Sequence, residues 1–531
     1  MQNVFASSIS RFVRCGPNYS FFFDLIAKES EPTNKPLHRF CSLMRKMGVT
    51  GYFREVLEQN AEIKAEIVDA RYRTRKDVSG DAIRFTFFRN GVVSNDPQAH
   101  PKNSILGYLV LLKFRMREKL LSVFVLESVV REPSVWLKNG DNEKCVPLTN
   151  YYVHCRATFS TRVGVRGAHA EFTLVGAFFC EQSGFTHVCA HAALRAAWNS
   201  TPGLLAKGKL TNRAINQVLG IDHRRDTVGR LGPAEKIPPT ARPRGLKRDE
   251  IEAVIRKYGG YYMSATFVDE SGLDYERYVY PLLETGWPVI LGIYGPGVAH
   301  VVTLLGHTLN SDRWMPEARR GYGDFTMDEK YLSAVEWTDH FIAHDDNYGM
   351  YVTLPTEALK SVVLHRFNPH LHTGLAIALA PSGVKLSGMF AESYAIAGMQ
   401  RLLDEVYRRV RNRWVGKLRD SYVCRTLLQT KNTYLQHFEE TESLADTYRD
   451  FLNQVLPNRF WVTEFTVPHL YSANKHKLAD ILVRCDNCPE SERVIFAWLP
   501  GHAYWGDTSF EWPIRNHIPL LRDGGSSPLE W

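Results

Sequence analysis

The sequence predicts an α+β fold, because β-type runs and helical patterns occur in each third of the chain. In the first third, the β-type runs lie at 83–88, 105–114 and 121–130, and turn residues bound them. In the last third, a long helical pattern over 387–415 precedes strand-like runs. We therefore expect helices packed with sheets in more than one domain.

The length of the chain and the changes in its pattern predict three domains. At 531 residues, the chain is too long for one compact core. We expect an N-terminal mixed α/β domain over 1–165, a central domain over 166–385 and a C-terminal α+β domain over 386–531.

The individual elements follow from hydrophobic periodicity and turn residues. The first domain begins with a helix-like stretch over 36–60. A polar connection at 222–248, rich in Pro and Arg, is expected to be an exposed loop. Pro281 is expected to interrupt a helix at 275–284 or to mark its first turn. The other predicted helices are 190–198, 247–258 and 439–456, and the other predicted strands are 172–179, 287–294, 300–305, 335–344, 351–354, 460–467, 478–484 and 494–499.

Composition and charge exclude several classes of protein. With 44% hydrophobic and 23% charged residues, the chain is not intrinsically disordered. Its net charge of +8 is modest over this length, so we expect no nucleic-acid partner. The nine scattered cysteines favour a reducing compartment. Because no signal-peptide pattern and no run of about 18 apolar residues occurs, we expect a cytoplasmic protein with no membrane partner.

A cysteine at the start of a predicted helix is the first candidate for chemistry. Cys189 precedes the alanine-rich segment 190–198, where unpaired amides and the positive end of the helix dipole favour a thiolate. Gln182 lies upstream, across a turn at Gly184. Its side-chain amide and the Cys189 backbone N–H could supply two hydrogen-bond donors for an oxyanion.

Two further polar residues stand at the ends of predicted strands. His300 opens the apolar strand at 300–305. An imidazole there could form, with a thiol, the thiolate–imidazolium pair that attacks a carbonyl at neutral pH. Asp345 ends the next strand and could hold the second ring nitrogen of His300. Asp346 could serve instead; strand alternation places the two carboxylates on opposite faces, and we favour Asp345.

The order of these residues resembles that of the papain-like cysteine peptidases. The matching pieces are Gln182 before the Cys189 helix, the segment Gly-Trp-Pro-Val-Ile at 286–290 before the His300 strand, and Asp345 after the next strand. The resemblance is closest to the bacteriocin-processing (double-glycine leader) peptidases, and it covers about 172–354. It implies a central domain in which the cysteine helix packs on an antiparallel sheet that bears the histidine and the aspartate.

The resemblance also implies a reaction. Cys189 attacks an amide or ester carbonyl, and Gln182 helps to bind the oxyanion. His300 acts as base and then as acid, and Asp345 orients it. No cofactor and no metal is implied. The expected substrate is a protein or peptide, and the large flanking domains are expected to restrict the substrate or to bind a protein partner.

Departures from the family pattern leave other functions open. Ala190 and His191 follow the cysteine, where many members have aromatic or Gly-Pro residues, and Asp346 stands where many have proline. The same triad would serve an acyltransferase or a transglutaminase-type enzyme. A papain-like core that has lost activity would instead be a binding module.

Metal ligation is the remaining alternative. His187 and His191 lie four residues apart, on one face of a helix, with Cys180 or Glu181 as a possible third ligand. His344, beside the two aspartates, is another candidate ligand. A lone CxxC motif with two upstream histidines has no standard zinc spacing, and its residues are Cys485, Cys488, His469 and His476.

Overall fold

The computed structural model of this chain describes residues 7–522 with internal gaps. The gaps are 16–28, 30–33, 90, 118, 140–141, 149, 166, 185, 224–244, 268–273, 311–330, 360–370, 408–412, 443–445, 473–474 and 513–518. Most of the polar connection predicted at 222–248 therefore lies outside the described residues. The described chain is an α+β protein that contains a closed barrel, two open sheets and a separate hairpin. None of its described helices is long and apolar enough to cross a membrane.

Seven N-terminal strands close into a barrel in the order β1-β2-β3-β4-β5-β10-β9. One face of these strands forms a hydrophobic cluster that includes Phe53, Phe88 and Leu112. The opposite face, which includes Phe87 and Leu111, belongs to a second cluster shared with the central sheet. The elements of this region are β1 (Ser7–Arg14), α1 (Lys35–Lys46), β2 (Gly51–Leu57), α2 (Ala61–Thr74), β3 (Ser79–Phe88), β4 (Ile105–Met116), β5 (Lys119–Val130), the hairpin β6 (Ser134–Asn139) and β7 (Asn142–Pro147), β8 (Tyr151–Val153), β9 (Ala157–Val165) and β10 (Ala168–Phe179).

The three β-type runs predicted in this region are confirmed as parts of β3, β4 and β5. The helix-like stretch predicted at 36–60 is wrong in its second half. The helix α1 ends at Lys46, and Gly48 follows with a φ of 73°, a backbone conformation that glycine adopts readily and that ends helices. The chain then re-enters the barrel as β2, which pairs with both β1 and β3.

The central sheet has the strand order β11-β17-β12-β13-β15-β16, and β8 pairs with β13. The cysteine helix α3 packs on this sheet, where the Thr303 hydroxyl donates a hydrogen bond to the Ala193 carbonyl (2.8 Å). The elements are α3 (Cys189–Asn199), α4 (Pro202–Lys207), α5 (Asn212–Leu219), α6 (Arg248–Lys257), β11 (Tyr261–Thr266), α7 (Tyr275–Thr285), β12 (Val289–Gly295), β13 (Val298–Thr308), β14 (Tyr331–Ser333), β15 (His340–Asp345), β16 (Gly349–Pro355) and β17 (His372–Ala380).

Two predictions in the central region need correction. Pro281 neither interrupts α7 nor starts it, because it lies inside a helix whose residues are all buried. Packing of that helix on every side outweighs the backbone hydrogen bond that proline removes. The run predicted as a strand at 335–344 begins as a 3-10 helix, Ala334–Trp337, and becomes extended only at β15.

The C-terminal sheet has the order β14-β18-β19-β20-β21-β22-β23. Its first strand, β14, comes from the central region and pairs in parallel with β18. The helix predicted at 439–456 overlaps the end of α10 and all of α11. The elements are α8 (Gly388–Tyr407), α9 (Arg413–Asp420), β18 (Tyr422–Thr430), α10 (Lys431–Glu442), α11 (Asp446–Val455), β19 (Arg459–Thr466), α12 (Pro468–Ser472), β20 (Ala479–Arg484), β21 (Val494–Leu499), β22 (His502–Trp505) and β23 (Thr508–Phe510).

Candidate functional site

Cys189 is the first residue of α3, and its side chain is partly exposed. The helix begins here because Val188 is extended (φ −121°, ψ 174°) and the alanine-rich segment that follows strongly favours helix. The Val188 N–H donates to Nδ1 of His191 (3.4 Å), which caps the first turn. Cys189 therefore lies at the N-terminal end of α3, where the helix dipole is positive.

The loop that precedes Cys189 is held by the barrel. The Glu181 carboxylate accepts a hydrogen bond from the Val125 backbone N–H of β5 (2.5 Å). The Thr186 hydroxyl donates to the Glu66 carboxylate of α2 (3.4 Å). These contacts join the start of the cysteine helix to two elements of the N-terminal region, so the barrel positions the thiol.

His187 is a structural residue of this loop. Its Nε2 lies 2.9 Å from the Ser183 backbone N–H and 3.1 Å from the Glu181 carbonyl, and its Nδ1 faces the Thr186 hydroxyl (3.0 Å). Burial lowers the pKa of His187 well below its ordinary value. The ring is therefore neutral and fully hydrogen-bonded inside the loop.

His191 also has a structural partner of its own. Its Nε2 donates to Oδ1 of Asn216 on α5 (2.9 Å). Burial lowers the pKa of His191 to about 4. Over the described ranges, the groups of side chains close enough to share a metal ion include neither His187 nor His191. The alternative of a metal site at this pair is therefore wrong for the described residues.

His300 lies on β13 and contacts Asp345 at the end of β15. Its Nε2 is 3.1 Å from the Asp345 Oδ1, and its side chain is 17% exposed. The Asn347 backbone N–H donates to the same Asp345 oxygen (2.8 Å) and fixes the carboxylate in the turn. Asp346 is farther away, with its Oδ1 at 3.7 Å from the His300 Nε2.

The Cys189 thiol interacts with His300 and favours its protonated form, which links the cysteine helix to the histidine and the aspartate. Burial disfavours the charged imidazolium, yet the interactions with Asp345 and Cys189 and the negative charges of Asp345 and Asp346 outweigh it. Together they raise the pKa of His300 to about 10. The imidazole is therefore protonated at neutral pH, as the acid member of a thiolate–imidazolium pair must be.

Gln182 is connected to the same site through Asn347, a residue that we did not select from the sequence. Its Nε2 donates to the Asn347 Oδ1 (3.3 Å). The Asn347 Nδ2 in turn lies 3.5 Å from each of the two ring nitrogens of His300. The sequence signal for Asn347 was its place in the Asp-Asp-Asn-Tyr-Gly turn after β15, where Asx residues commonly fold their side chains back on the backbone.

Asp346 is buried beside His300, 3.7 Å from its Nε2. Neither of its carboxylate oxygens has a hydrogen-bond partner within the described part of the chain. Burial and the neighbouring Asp345 charge raise its pKa to about 7, although the His300 charge opposes the shift. Ligand atoms of His300, Asp345 and Asp346 lie within 4.8 Å of one another, so these three side chains are close enough to hold a metal ion.

The other residues that we considered as metal ligands do not form a metal site within the described part of the chain. His344 is buried, its Nδ1 faces the Phe178 carbonyl (3.0 Å), and burial lowers its pKa to about 3. The Cys485 thiol donates to the Arg459 carbonyl (3.4 Å). No metal-ligand group among the described residues contains Cys485 or Cys488. These side chains are therefore explained by packing and local hydrogen bonds.

The structure thus brings Cys189, His300 and Asp345 together, with Gln182 one side chain away. No protein-family model matches this chain, and no curated protein or solved structure matches it either.

Proposed function

We propose that this protein is a thiol hydrolase that cleaves an amide bond in a peptide or protein, with a papain-like arrangement in its central region. The observation that carries the proposal is the position of His300, which hydrogen-bonds Asp345 and interacts with the Cys189 thiol at the start of α3. A cysteine at a helix N-terminus, paired with an oriented imidazolium, is an activated nucleophile.

In the proposed reaction, the Cys189 thiolate forms a bond to the substrate carbonyl carbon, and the carbonyl oxygen becomes an oxyanion. The Cys189 backbone N–H and the Gln182 amide stabilise that oxyanion, once Gln182 exchanges its contact with Asn347 for the substrate. The His300 imidazolium then gives its proton to the leaving amine as the carbon–nitrogen bond breaks. The neutral imidazole next takes a proton from water, and the resulting hydroxide releases the acyl group and restores the thiolate–imidazolium pair.

A direct test is acylation of the enzyme by an activated ester, such as the p-nitrophenyl ester of an N-acyl amino acid. We expect a burst of p-nitrophenol of one equivalent and an acyl mass on the peptide that contains Cys189. The burst should vanish in Cys189→Ala and persist in Cys488→Ser, a matched change at another partly exposed cysteine. A burst that Cys189→Ala leaves intact would refute the proposal.

The same experiment separates hydrolysis from acyl transfer. A hydrolase releases the acid at a rate that added amines do not change. An acyltransferase or transglutaminase-type enzyme would instead pass the acyl group to an added amine, such as a lysine-containing peptide. Hydrolysis is the predicted outcome, and a conjugate formed in place of the free acid would assign the transfer reaction.

A further inference from the structure

Away from the Cys189 site, two histidines and a glutamate meet between three elements. His154 directly follows β8, Glu284 lies on α7, and His307 lies on β13. We propose that these three side chains bind a divalent transition-metal ion, with Zn²⁺ as the best match to two imidazoles and one carboxylate. The proposal does not depend on the proposed hydrolase activity, because the two sites share no residue.

The spacing of the three side chains fits one ion. One ligand atom from each lies within 4.8 Å of the others. The His307 Nε2 is 2.9 Å from the Glu284 Oε1, and the His154 Nε2 is 3.9 Å from the Glu284 Oε2. Ligands bound to tetrahedral zinc at their usual bond lengths are separated by about 3.3 Å. The separation of the His307 Nε2 from Oε1 is close to that value, and a rotation of the His154 side chain would bring its Nε2 to the same ion.

The two imidazoles present the right nitrogen. The His307 Nδ1 lies 3.1 Å from the Thr308 carbonyl, and its Nε2 faces Glu284. A backbone contact of the distal nitrogen is the arrangement that normally orients a metal-binding histidine. The His154 Nε2 is shielded from solvent and has no hydrogen-bond partner among the described residues. A metal ion would give this nitrogen a partner.

Glu284 is held in place by partners of its own. The Tyr280 hydroxyl donates to Oε1 (2.7 Å), and the Arg425 guanidinium donates to Oε2 (2.6 Å). Ligating carboxylates are commonly held by such outer hydrogen bonds. Because Arg425 takes Oε2, we expect Glu284 to bind the ion through Oε1 alone. Arg425 also pairs with Glu464, so its positive charge is shared with a second carboxylate and repels the ion less.

The site depends on a close approach of two backbones. Val153 and Tyr152 of β8 pair with Gly306 and His307 of β13, which brings His154 next to His307. A Cβ at position 306 would lie 1.9 Å from the Tyr152 carbonyl oxygen, so only glycine permits this pairing. A bound ion would therefore crosslink the end of β8 to β13 and to α7.

The test uses the full-length protein after treatment with a chelator. Zn²⁺ is titrated by calorimetry, and Co²⁺ binding is followed by its visible absorption. We expect one equivalent bound at this site and a Tm that rises with added metal. His154→Gln should weaken binding by at least about 10-fold to 100-fold. Because His154 is partly exposed, this variant is the one expected to keep the fold.

The other potential ligand cluster supplies the control. Asp346→Asn alters the group formed with His300 and Asp345 and should leave this binding unchanged. Absence of Zn²⁺ and Co²⁺ binding to the wild type would overturn the proposal. It would also be overturned by binding that survives His154→Gln unchanged, or by binding that is lost only in Asp346→Asn. Neither result would bear on acylation of Cys189, which is measured separately.

Discussion

Two adjacent carboxylates approach the same imidazole but differ in what else they contact. Asp345 hydrogen-bonds His300 and accepts the Asn347 backbone N–H, whereas the Asp346 oxygens have no hydrogen-bond partner among the described residues. The sequence left the choice between them open, because both stand at the same strand end. The contacts favour Asp345 as the residue that orients the ring, and Asp346 contributes negative charge near it.

Asp346 should lower the stability of the protein at neutral pH. Its folded-state pKa is raised above the ordinary value of 3.8 to about 7, so the folded state prefers the protonated acid. The destabilisation is absent below about pH 4, grows as the pH rises from 4 to 7, and is complete above 7. Asp346→Asn should therefore raise the unfolding free energy at pH 8 by up to about 4 kcal/mol and change it little at pH 4.

Urea denaturation of the wild type and Asp346→Asn at both pH values measures this difference. Asp345→Asn is the control, since Asp345 is hydrogen-bonded to His300 and its loss should not stabilise the protein. Equal stability of Asp346→Asn and wild type at pH 8 would contradict the assignment of Asp346 as a buried acid whose pKa is raised in the folded state. If Asp346→Asn makes the protein more stable, Asp346 serves the candidate site at the expense of the stability of the fold.

Among the elements, the turn between β15 and β16 sets the position of Asp345. Gly349 closes it with a φ of 110°, and a Cβ there would lie 2.8 Å from the Arg39 Cβ of α1. Gly349→Ala should therefore destabilise the fold by about 1–3 kcal/mol, through backbone strain and the contact with α1. It should also slow the alkylation of Cys189, because Asp345 would move relative to His300.

A second glycine on the same sheet provides the matched control. Gly297 also has a positive φ, 70°, but its Cβ would meet nothing within 4 Å. Gly297→Ala tests backbone strain alone and should leave alkylation of Cys189 unchanged. Similar losses of reactivity in both variants would show that the contact between α1 and the turn does not position Asp345.

Sequence patterns predicted most of the regular elements but not the interruptions between them. The strands β3, β4 and β5 were recognisable because each is a continuous apolar run between turns. The strand β2 was missed, since its sequence, Gly-Tyr-Phe-Arg-Glu-Val-Leu, continues a helical pattern and only pairing with β1 and β3 makes it extended. Pro281 is accommodated inside α7 because this helix is buried on all sides. That burial depends on tertiary contacts, so the sequence pattern did not predict it.

Across the whole molecule, a buried network of charges joins the central region to the C-terminal sheet. Arg425 on β18 pairs with Glu284 of α7 (2.6 Å) and with Glu464 of β19 (3.0 Å). Arg522 pairs with Glu464 and with Asp480 of β20, each at 3.0 Å. No local pattern predicts these pairs, because Arg425 and Glu284 are 141 positions apart in the sequence.

Removing the shared cation of this network should be strongly destabilising. Arg425→Ala leaves Glu284 and Glu464 buried and short of a partner, and we expect a loss of about 3–5 kcal/mol in unfolding free energy. Arg484→Ala breaks an equally short but exposed pair with Asp486 (2.7 Å) and should cost at most about 1 kcal/mol. Urea denaturation compares the two variants, and equal losses would show that burial does not set the strength of the Arg425 contacts.

The residues that meet at the candidate site could be selected from the sequence, but the contacts that hold them in place could not. The order of Gln182, Cys189, His300 and Asp345 suggested a nucleophile, a base and an orienting acid before any geometry was known. The barrel contacts that hold the cysteine loop, at Val125 and Glu66, were not predictable because they cross more than 50 residues of chain. The same is true of His154, whose role depends on the pairing of β8 with β13.

The pairing of Cys189 with His300 is tested most directly by the rate of Cys189 alkylation with iodoacetamide as a function of pH, mapped by mass spectrometry. A chelator is included, so that no metal at His300, Asp345 and Asp346 affects the rate. Wild type should react well below pH ~8.5, where an isolated thiol loses reactivity. His300→Ala should remove this low-pH reactivity, while Cys488 in the same molecules reacts only at high pH, because burial raises its pKa. If Cys189 is inert at every pH, or reacts alike in both proteins, the thiol is not activated by His300 and the proposed enzyme is contradicted.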